Sequence, residues 1–230
     1  MPVIVFSSSK GGCGKTTSSA ILGTELALSG AAVAMLDADP NKNLIDWSKL
    51  SGAPANLKVV GDITEETIVD QIEADRTESA FVIVDLEGTA SLMVSYAISL
   101  ADLVIVPMQG SQLDAKQAAR QMKLIQAQSR IAGRTIPFTM LLTRTHPAIL
   151  PRTQRHIETR FAELQVPVLN TRLADREAYR AMFSYGGTLM GLAGRHVSNL
   201  DLAIKNARIF AGEVLELLRV GSETKAAAVA

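Results

Sequence analysis

Cysteine is almost missing from this 230-residue sequence: Cys13 stands alone. An internal disulfide is therefore excluded, and a thiolate-held iron–sulfur cluster has no ligand set. Aromatic residues make up only 4% of the chain, too few for base-stacking platforms to be its main way of holding single-stranded nucleic acid. The three histidines, His146, His156 and His196, show no metal-ligand spacing with Cys or acidic residues. No run of about 18 apolar residues occurs, so no membrane span is expected. The opening "MPVIVF" has no basic region before its short apolar run, so no secretory signal is expected and the chain is read as cytoplasmic.

Net charge is also absent, with 23 Lys/Arg against 23 Asp/Glu, but the two signs are separated along the chain. Residues 1–115 carry 6 Lys/Arg and 15 Asp/Glu, whereas residues 116–230 carry 17 and 8. The basic second half admits two readings: solvated helix faces, or a surface that meets nucleic-acid phosphate.

What is present is an alternation. Short apolar runs at Val3–Phe6, Ala31–Leu36, Leu57–Val60, Phe81–Asp85, Leu103–Pro107, Pro137–Thr143 and Val166–Leu169 read as strands. Several are apolar throughout, as strands buried on both faces are. Helical patterns lie between or after them at Lys15–Ser29, Ile63–Ala74, Leu92–Ala101, Asp114–Ile131, Pro151–Leu164, Asp175–Phe183 and Leu200–Leu218. The order predicts an α/β fold: a doubly wound, mostly parallel sheet with helices on both faces. Residues 1–220 read as one domain and 221–230 as a loose tail. Trp47 is expected to pack a short helix after Asp39.

"VIVFSSSKGGCGKTT" runs strand, loop, helix. Gly14-Lys15-Thr16 ends a phosphate-binding loop of the pattern G-x-x-x-x-G-K-[ST], with Ser9 where the first glycine would fall. Gly11, Gly12 and Gly14 allow successive N–H groups to turn inward on an anion. Lys15 would reach the β- and γ-phosphates, the Thr16 hydroxyl would bind Mg²⁺, and Thr17 follows at the start of a helix whose positive end faces the anion. Cys13 occupies the free position of the loop and reads as a small residue that fits. Lys10, five residues before Lys15, is redundant within its own loop.

That second lysine carries a resemblance. "KGGCGKTT" resembles the deviant Walker A loop, K-G-G-x-G-K-[ST], of the ParA/MinD class of ATPases. The resemblance implies an ATP- and Mg²⁺-dependent ATPase whose Lys10 reaches across a homodimer interface to phosphate in the other subunit, stabilising charge as an arginine finger does. "LDADP" resembles the class's D-x-D-P element, which would place Asp37 in the Mg²⁺ shell and Asp39 beside the attacking water. A helix cap is the other use for two carboxylates at a strand end, although Asn41 or Asn43 could supply that cap instead. "FVIVDLEG" is similar to the Walker B strand, with Asp85 toward Mg²⁺ and Gly88 as a γ-phosphate switch. The usual proline is missing, and Glu87 is either a loop charge in solvent or a group behind the metal ligands. "ADLVIVPMQG" resembles the segment near the dimer face. "LLTRTHP" resembles the place where the class carries an Asn or Thr and an Arg beside the base, which would make Thr143 and Arg144 adenine contacts.

Within this class the basic second half favours a DNA-associated partition or positioning ATPase. Arg152 and Arg155, with Arg160, lie at offsets that share a helix face, and so do Arg172, Arg176 and Arg180. With Arg195, Lys205 and Arg208 they are candidates for contact with non-specific double-stranded DNA, which implies nucleoid association and a ParB-like or other cargo adaptor. The alternatives are a MinD-like membrane-associated ATPase, or a P-loop ATPase of biosynthesis or metallocentre assembly. The alanine-rich end "LLRVGSETKAAAVA" lacks the bulky basic-amphipathic face of a membrane anchor, so no stable membrane binding is expected. Small relatives of the class include partition ATPases, carboxysome positioners and VirC-type proteins.

Overall fold

Strands that are apolar on both parities need cover on both faces, and the chain supplies it by returning through a helix after almost every strand. The computed structural model describes residues 1–89 and 91–229. In chain order the elements are β1 (Val3–Phe6), α1 (Lys15–Leu28), β2 (Val33–Ala38), α2 (Asn43–Lys49), β3 (Leu57–Val60), α3 (Ile68–Glu78), β4 (Phe81–Leu86) and α4 (Leu92–Leu100). They continue with β5 (Leu103–Met108), α5 (Gln112–Ile131), β6 (Phe138–Thr145), α6 (Arg152–Glu163), β7 (Leu173–Ala174), α7 (Glu177–Tyr185), a single 3-10 turn (Met190–Leu192) and α8 (Leu200–Val229).

The strands form one sheet in the order β3-β2-β4-β1-β5-β6-β7. Every pairing is parallel, so the fold is the doubly wound class read from the sequence, without an antiparallel edge. Strand β1 lies between β4 and β5, where the winding reverses, and in open α/β sheets ligands bind beyond the strand carboxyl ends at that point.

Alternate residues of each strand serve two cores. Ile4, Phe6, Met35, Ile83 and Ile105 face a layer holding α1, α2, α7 and α8. Val3, Val5, Leu36, Val84 and Val106 face the layer of α3, α4, α5 and α6. Helix α1 is buried along most of its length because α8 covers its outer side with Ala203, Ala207, Phe210 and Val214.

Three boundaries differ from the sequence reading. Val166–Leu169 is not a strand; it makes one parallel bridge, Val168 to Met140. Pro167 has no N–H to donate, so the segment exchanges only two bonds with β6, through Pro167 O and Leu169 N, and the seventh strand is Leu173–Ala174. Helix α3 starts at Ile68 rather than Ile63, because Thr64 and Thr67 bond each other's N–H and hydroxyl groups in a preceding turn. Helix α8 continues past Leu218 to Val229, through most of the segment set apart as a tail; alanine is the strongest helix former.

One backbone contact ties α2 to α7. Gly186 and Gly187 end α7 at φ +79° and +71° and lie against the Leu50–Gly52 turn after α2. Trp47, fully buried on α2 as the sequence suggests, donates its indole N–H to Gly187 O at 3.2 Å. A Cβ at position 186 would sit 2.4 Å from Leu50 Cβ and 2.7 Å from Ser51 O. Gly186→Ala is therefore expected to cost about 1–3 kcal/mol and lower the melting temperature. Gly212→Ala, in open space on α8, should be neutral or stabilising by up to ~1 kcal/mol. Equal melting temperatures for the two variants would show that the α2–α7 contact contributes nothing.

Candidate nucleotide site

The cradle begins where β1 ends. After Phe6 the chain turns through Ser7–Gly14 into α1, with Gly12 at φ +73° and Gly14, the residue capping α1, at φ +95°. Both angles lie in the left-handed region that glycine reaches without strain. Lys15 is 5% exposed, and its ammonium curls back to Lys10 O at 3.5 Å, inside the loop. Cys13 is buried, its Sγ 3.3 Å from Lys10 O. Its carbonyl accepts a 2.6 Å bond from the Thr143 hydroxyl, which also reaches Met108 O at 3.2 Å. Thr143, read as a base contact, thus has its hydroxyl engaged in holding the loop to β5 and β6. Gln109 adds a bond to Gly12 O at 3.2 Å.

Lys10 takes a different course. Its ammonium bonds both oxygens of Asp114, at 3.0 and 3.3 Å, on the first turn of α5. Asp114 is 2% exposed and is also bonded by the Ser111 hydroxyl, which accepts in return from Asp114 N–H. Lys10 is not among the residues lining the cleft that its own loop forms. Asp114 was not singled out from the sequence; with the partners 104 positions apart, no local pattern links them.

Three acids converge at the strand ends. Register places Asp85 of β4 between Phe6 of β1 and Asp37 of β2. Asp85 is fully buried, and neither carboxyl oxygen has a hydrogen-bond partner of normal geometry. Burial pushes its pKa up to about 7; the nearby Asp37 and Asp39 charges add to the rise, while the Thr16 hydroxyl and Lys15 oppose it. An orphaned carboxylate beside the loop threonine fits a hard divalent cation, which takes oxygen ligands and replaces the missing partners. Asp37, also fully buried, accepts from Leu44 N at 2.9 Å and Ile45 N at 3.0 Å. From β2 it therefore satisfies first-turn N–H groups of α2, whose N-cap residue is Lys42, a task that neither Asn41 nor Asn43 performs. Burial raises its pKa, and these backbone bonds hold it back. Asp39 accepts from the N–H and side-chain amide of Asn41 at 2.9 and 2.8 Å and faces the cleft.

The cleft has two chambers. One, of about 430 Å³, is lined by the loop glycines, Lys15, Thr16, Thr17, Asp39, Glu87 and Gly88. Glu87 thus faces the phosphate side. Gly88 lies so close to the loop that a Cβ would meet Gly11 N at 3.0 Å, which favours glycine there; the missing proline of the resembled motif falls at Glu87. The second, of about 380 Å³, shares Gly14, Thr17 and Arg144 with the first and continues to Thr143, Asp175, Arg176, Tyr179, Arg180 and Phe183. The size and the apolar–polar lining suit a nucleoside. Asp175, Tyr179 and Phe183 were not anticipated. Arg176 and Arg180, read from spacing as DNA candidates, line this chamber, and Nε of Arg176 is buried without a partner.

The remaining arginines do not form one row. The α6 set packs with the α3–α6 layer, and the α7–α8 set lies on the other side of the sheet, the two meeting around edge strand β7. Arg172 pairs with Glu158 at 2.7 Å, Arg160 with Glu163, and Arg180 with Asp175 and Glu177. Arg208 lies 3.8 Å from Glu25, and Arg195 sits over the Tyr185 ring. Arg152, Arg155 and Lys205 are exposed and make no ion pair among the described residues. No helix among these residues is long and apolar enough to cross a membrane.

A glycine-rich cradle on the central strand of an all-parallel sheet, opening onto one cleft, is the arrangement of P-loop nucleotide-binding proteins, and the second lysine narrows the class to the ParA/MinD type. MinD of Pyrococcus horikoshii, solved with Mg-ADP, superposes with a TM-score of 0.71 over 96% of this chain and 98% of its own at 16% identity, which shows the shared fold. The family model described as VirC1 protein matches residues 1–223, and the chain belongs to that family. Protein ParA of Rhizobium radiobacter is 41% identical over 218 residues, 95% of this chain and 98% of the relative. The maintenance of carboxysome distribution protein A of Halothiobacillus neapolitanus is 28% identical over 197 residues, covering 84% and 88%.

The raised pKa of Asp85 has a definite sign for stability. Between about pH 4 and 7 the folded state holds a proton that the unfolded chain releases, so stability falls as pH rises through that window. Above it the buried charge costs the metal-free protein about 2–4 kcal/mol. Asp85→Asn should therefore melt at a higher temperature than the parent at pH 8 without nucleotide or metal, with the gain shrinking at pH 5. Adding Mg²⁺ and ADP should reverse the order at pH 8. A metal-free Asp85→Asn protein no more stable than the parent at pH 8 contradicts this.

Proposed function

We propose that the chain is an ATPase that binds ATP and Mg²⁺ in this cleft and dimerises through the loop face. In that state it holds duplex DNA without sequence preference, and hydrolysis drives the partition or positioning of a cargo presented by an adaptor protein. The observation that carries the reading is the divergence of the two loop lysines. Lys15 is curled inside its own cradle, whereas Lys10 is turned out of it and held on α5, available to another subunit.

The loop N–H groups and Lys15 bind the phosphates, and the chamber of Arg144, Arg176, Tyr179 and Phe183 takes the nucleoside. Thr16 and Asp85 would hold Mg²⁺, which when bound neutralises phosphate charge. Asp39 stands at the cleft wall, where it can orient a water toward the γ-phosphate. Lys10 from the second subunit places a further cation against charge that develops during transfer, which ties turnover to assembly. The free cations Arg152, Arg155 and Lys205, doubled by dimerisation, are the first candidates for DNA phosphate, because they need not break an ion pair to bind it. Contacts of this kind carry no base information.

Lys10→Ala should bind ADP within about twofold of the parent while losing both the ATP-dependent dimer and turnover. Asp39→Ala should keep the ATP-bound dimer and hydrolyse roughly a hundredfold more slowly or worse. Sedimentation with a non-hydrolysable ATP analogue, together with phosphate release, reads both; a Lys10→Ala protein that dimerises and turns over normally refutes the assignment.

For DNA, mobility shifts with random-sequence duplex should need ATP and weaken steeply with salt, the log–log slope growing by about 0.9 per phosphate neutralised. Arg152→Glu with Arg155→Glu should lower that slope. Binding unchanged in this double variant would remove α6 from the DNA face.

A further inference from the structure

The outer surface of the α3–α4–α5 layer lies outside the two chambers just described, with Arg120 bordering a separate cavity that reaches Ser9 and Gly88, and its charge is sorted. In the turn before α3 and on that helix, Glu66, Asp70 and Glu73 follow at i, i+4 and i+7, all exposed. On α5, Lys116, Arg120 and Lys123 repeat the same spacing, also exposed. Between them on α4 stand Leu92 and Tyr96, 57% and 40% exposed, on a helix with no charged residue. Ile68 and Ile72, Met93, Val94 and Ala97, and Ala118 and Ile125 bury the opposite sides of these helices against the sheet, so all three rows point outward. Helix α4 packs between α3 and α5. None of the six charged side chains makes an ion pair among the described residues; Arg120 reaches only Gln117, at 3.5 Å. The sequence sharpens the contrast: no acid lies between Asp114 and Glu158, a stretch holding eight Lys/Arg.

We propose that this layer is a second, nucleotide-independent interface, through which the chain associates with another copy of itself about a two-fold axis parallel to the helices. The pattern selects both the partner and the axis. An acid–apolar–base sequence of rows is complementary to itself when reversed. All three helices follow parallel strands and so run the same way. A two-fold axis along α4 lays α4 on its counterpart and brings each acidic α3 opposite a basic α5. An in-plane axis across the helices would instead stack α3 on α3, acid on acid, and α5 on α5. Such an isologous contact uses the same patch twice. Leu92 and Tyr96 form its desolvated centre, and the charge rows its rim. The phosphate cleft opens at the strand carboxyl ends rather than on this side, so both contacts can exist in one assembly.

Three charge-reversed proteins test the proposal by sedimentation in EDTA without nucleotide, which keeps it separate from the ATP-bound dimer. The parent should sediment at twice the chain mass at about 50 mM salt and tens of micromolar protein. It should revert toward the monomer near 500 mM, where charges are screened within a few ångströms. Lys116→Glu/Arg120→Glu/Lys123→Glu carries acid on both outer helices and should stay monomeric; so should Glu66→Lys/Asp70→Lys/Glu73→Lys, which carries base on both. Mixed in equal amounts, the two triple variants should restore the doubled mass, because each then meets its complement. Tyr96→Glu should abolish association in every combination. A parent monomeric at 100 µM and 50 mM salt overturns the proposal, as does a mixture that fails to associate when each variant is folded by circular dichroism. Loss of duplex binding by the α5 variant, with no self-association of the parent, assigns the basic row to nucleic acid instead and equally overturns it.

Discussion

Asp85 is buried at the carboxyl end of β4 with no hydrogen-bond partner of normal geometry, and much of the site can be understood as the surroundings of that carboxylate. A charge without partners in a protein interior is costly, so its pKa rises to about 7. The location is forced by the fold: β4 lies between β1, which releases the phosphate loop, and β2, which carries Asp37 and Asp39. Parallel register brings all three strand ends to one level. A cation arriving with the nucleotide would supply what the carboxylate lacks, so the folded protein carries a costly buried charge where a ligand can relieve it.

The same strand ends are tied outward by a continuous set of contacts. Asp37 accepts from the first turn of α2; α2 carries Trp47; the Trp47 indole bonds Gly187 at the end of α7; and α7 lines the second chamber with Tyr179, Arg180 and Phe183. The acid beside the phosphate chamber and the wall of the nucleoside chamber are therefore held by one small helix. Its glycine seat allows the two backbones to approach without side chains between them.

Local patterns were legible in the sequence, and long-range pairings were not. The strand–loop–helix of residues 3–28 and the apolar run ending in Asp85 announce themselves, because a few neighbouring residues determine both geometry and chemistry. Pro167 was the readable sign against a strand at Val166–Leu169, yet the short β7 at Leu173–Ala174 has no pattern of its own and depends on β6 for its partners. Helical spacing read Arg172, Arg176 and Arg180 as one helix face, but α7 begins only at Glu177, with Arg176 capping it, and Arg172 lies before strand β7. Two of the three turned out to line a cleft, and Arg172 is paired with Glu158. Asp114 was invisible for the same reason: its meaning comes from Lys10, on a loop that only the closed sheet brings to the start of α5.

Cys13 is the chain's one thiol, and it is 1% exposed, tucked under the carbonyl of Lys10 in the middle of the cradle. An alkylating reagent added to the folded protein can therefore reach sulfur only when the loop around it opens. The rate of modification reports the opening of the Ser7–Gly14 loop rather than of the whole molecule, with no label engineered in. The protein thus carries its own clock for the opening of the glycine-rich loop.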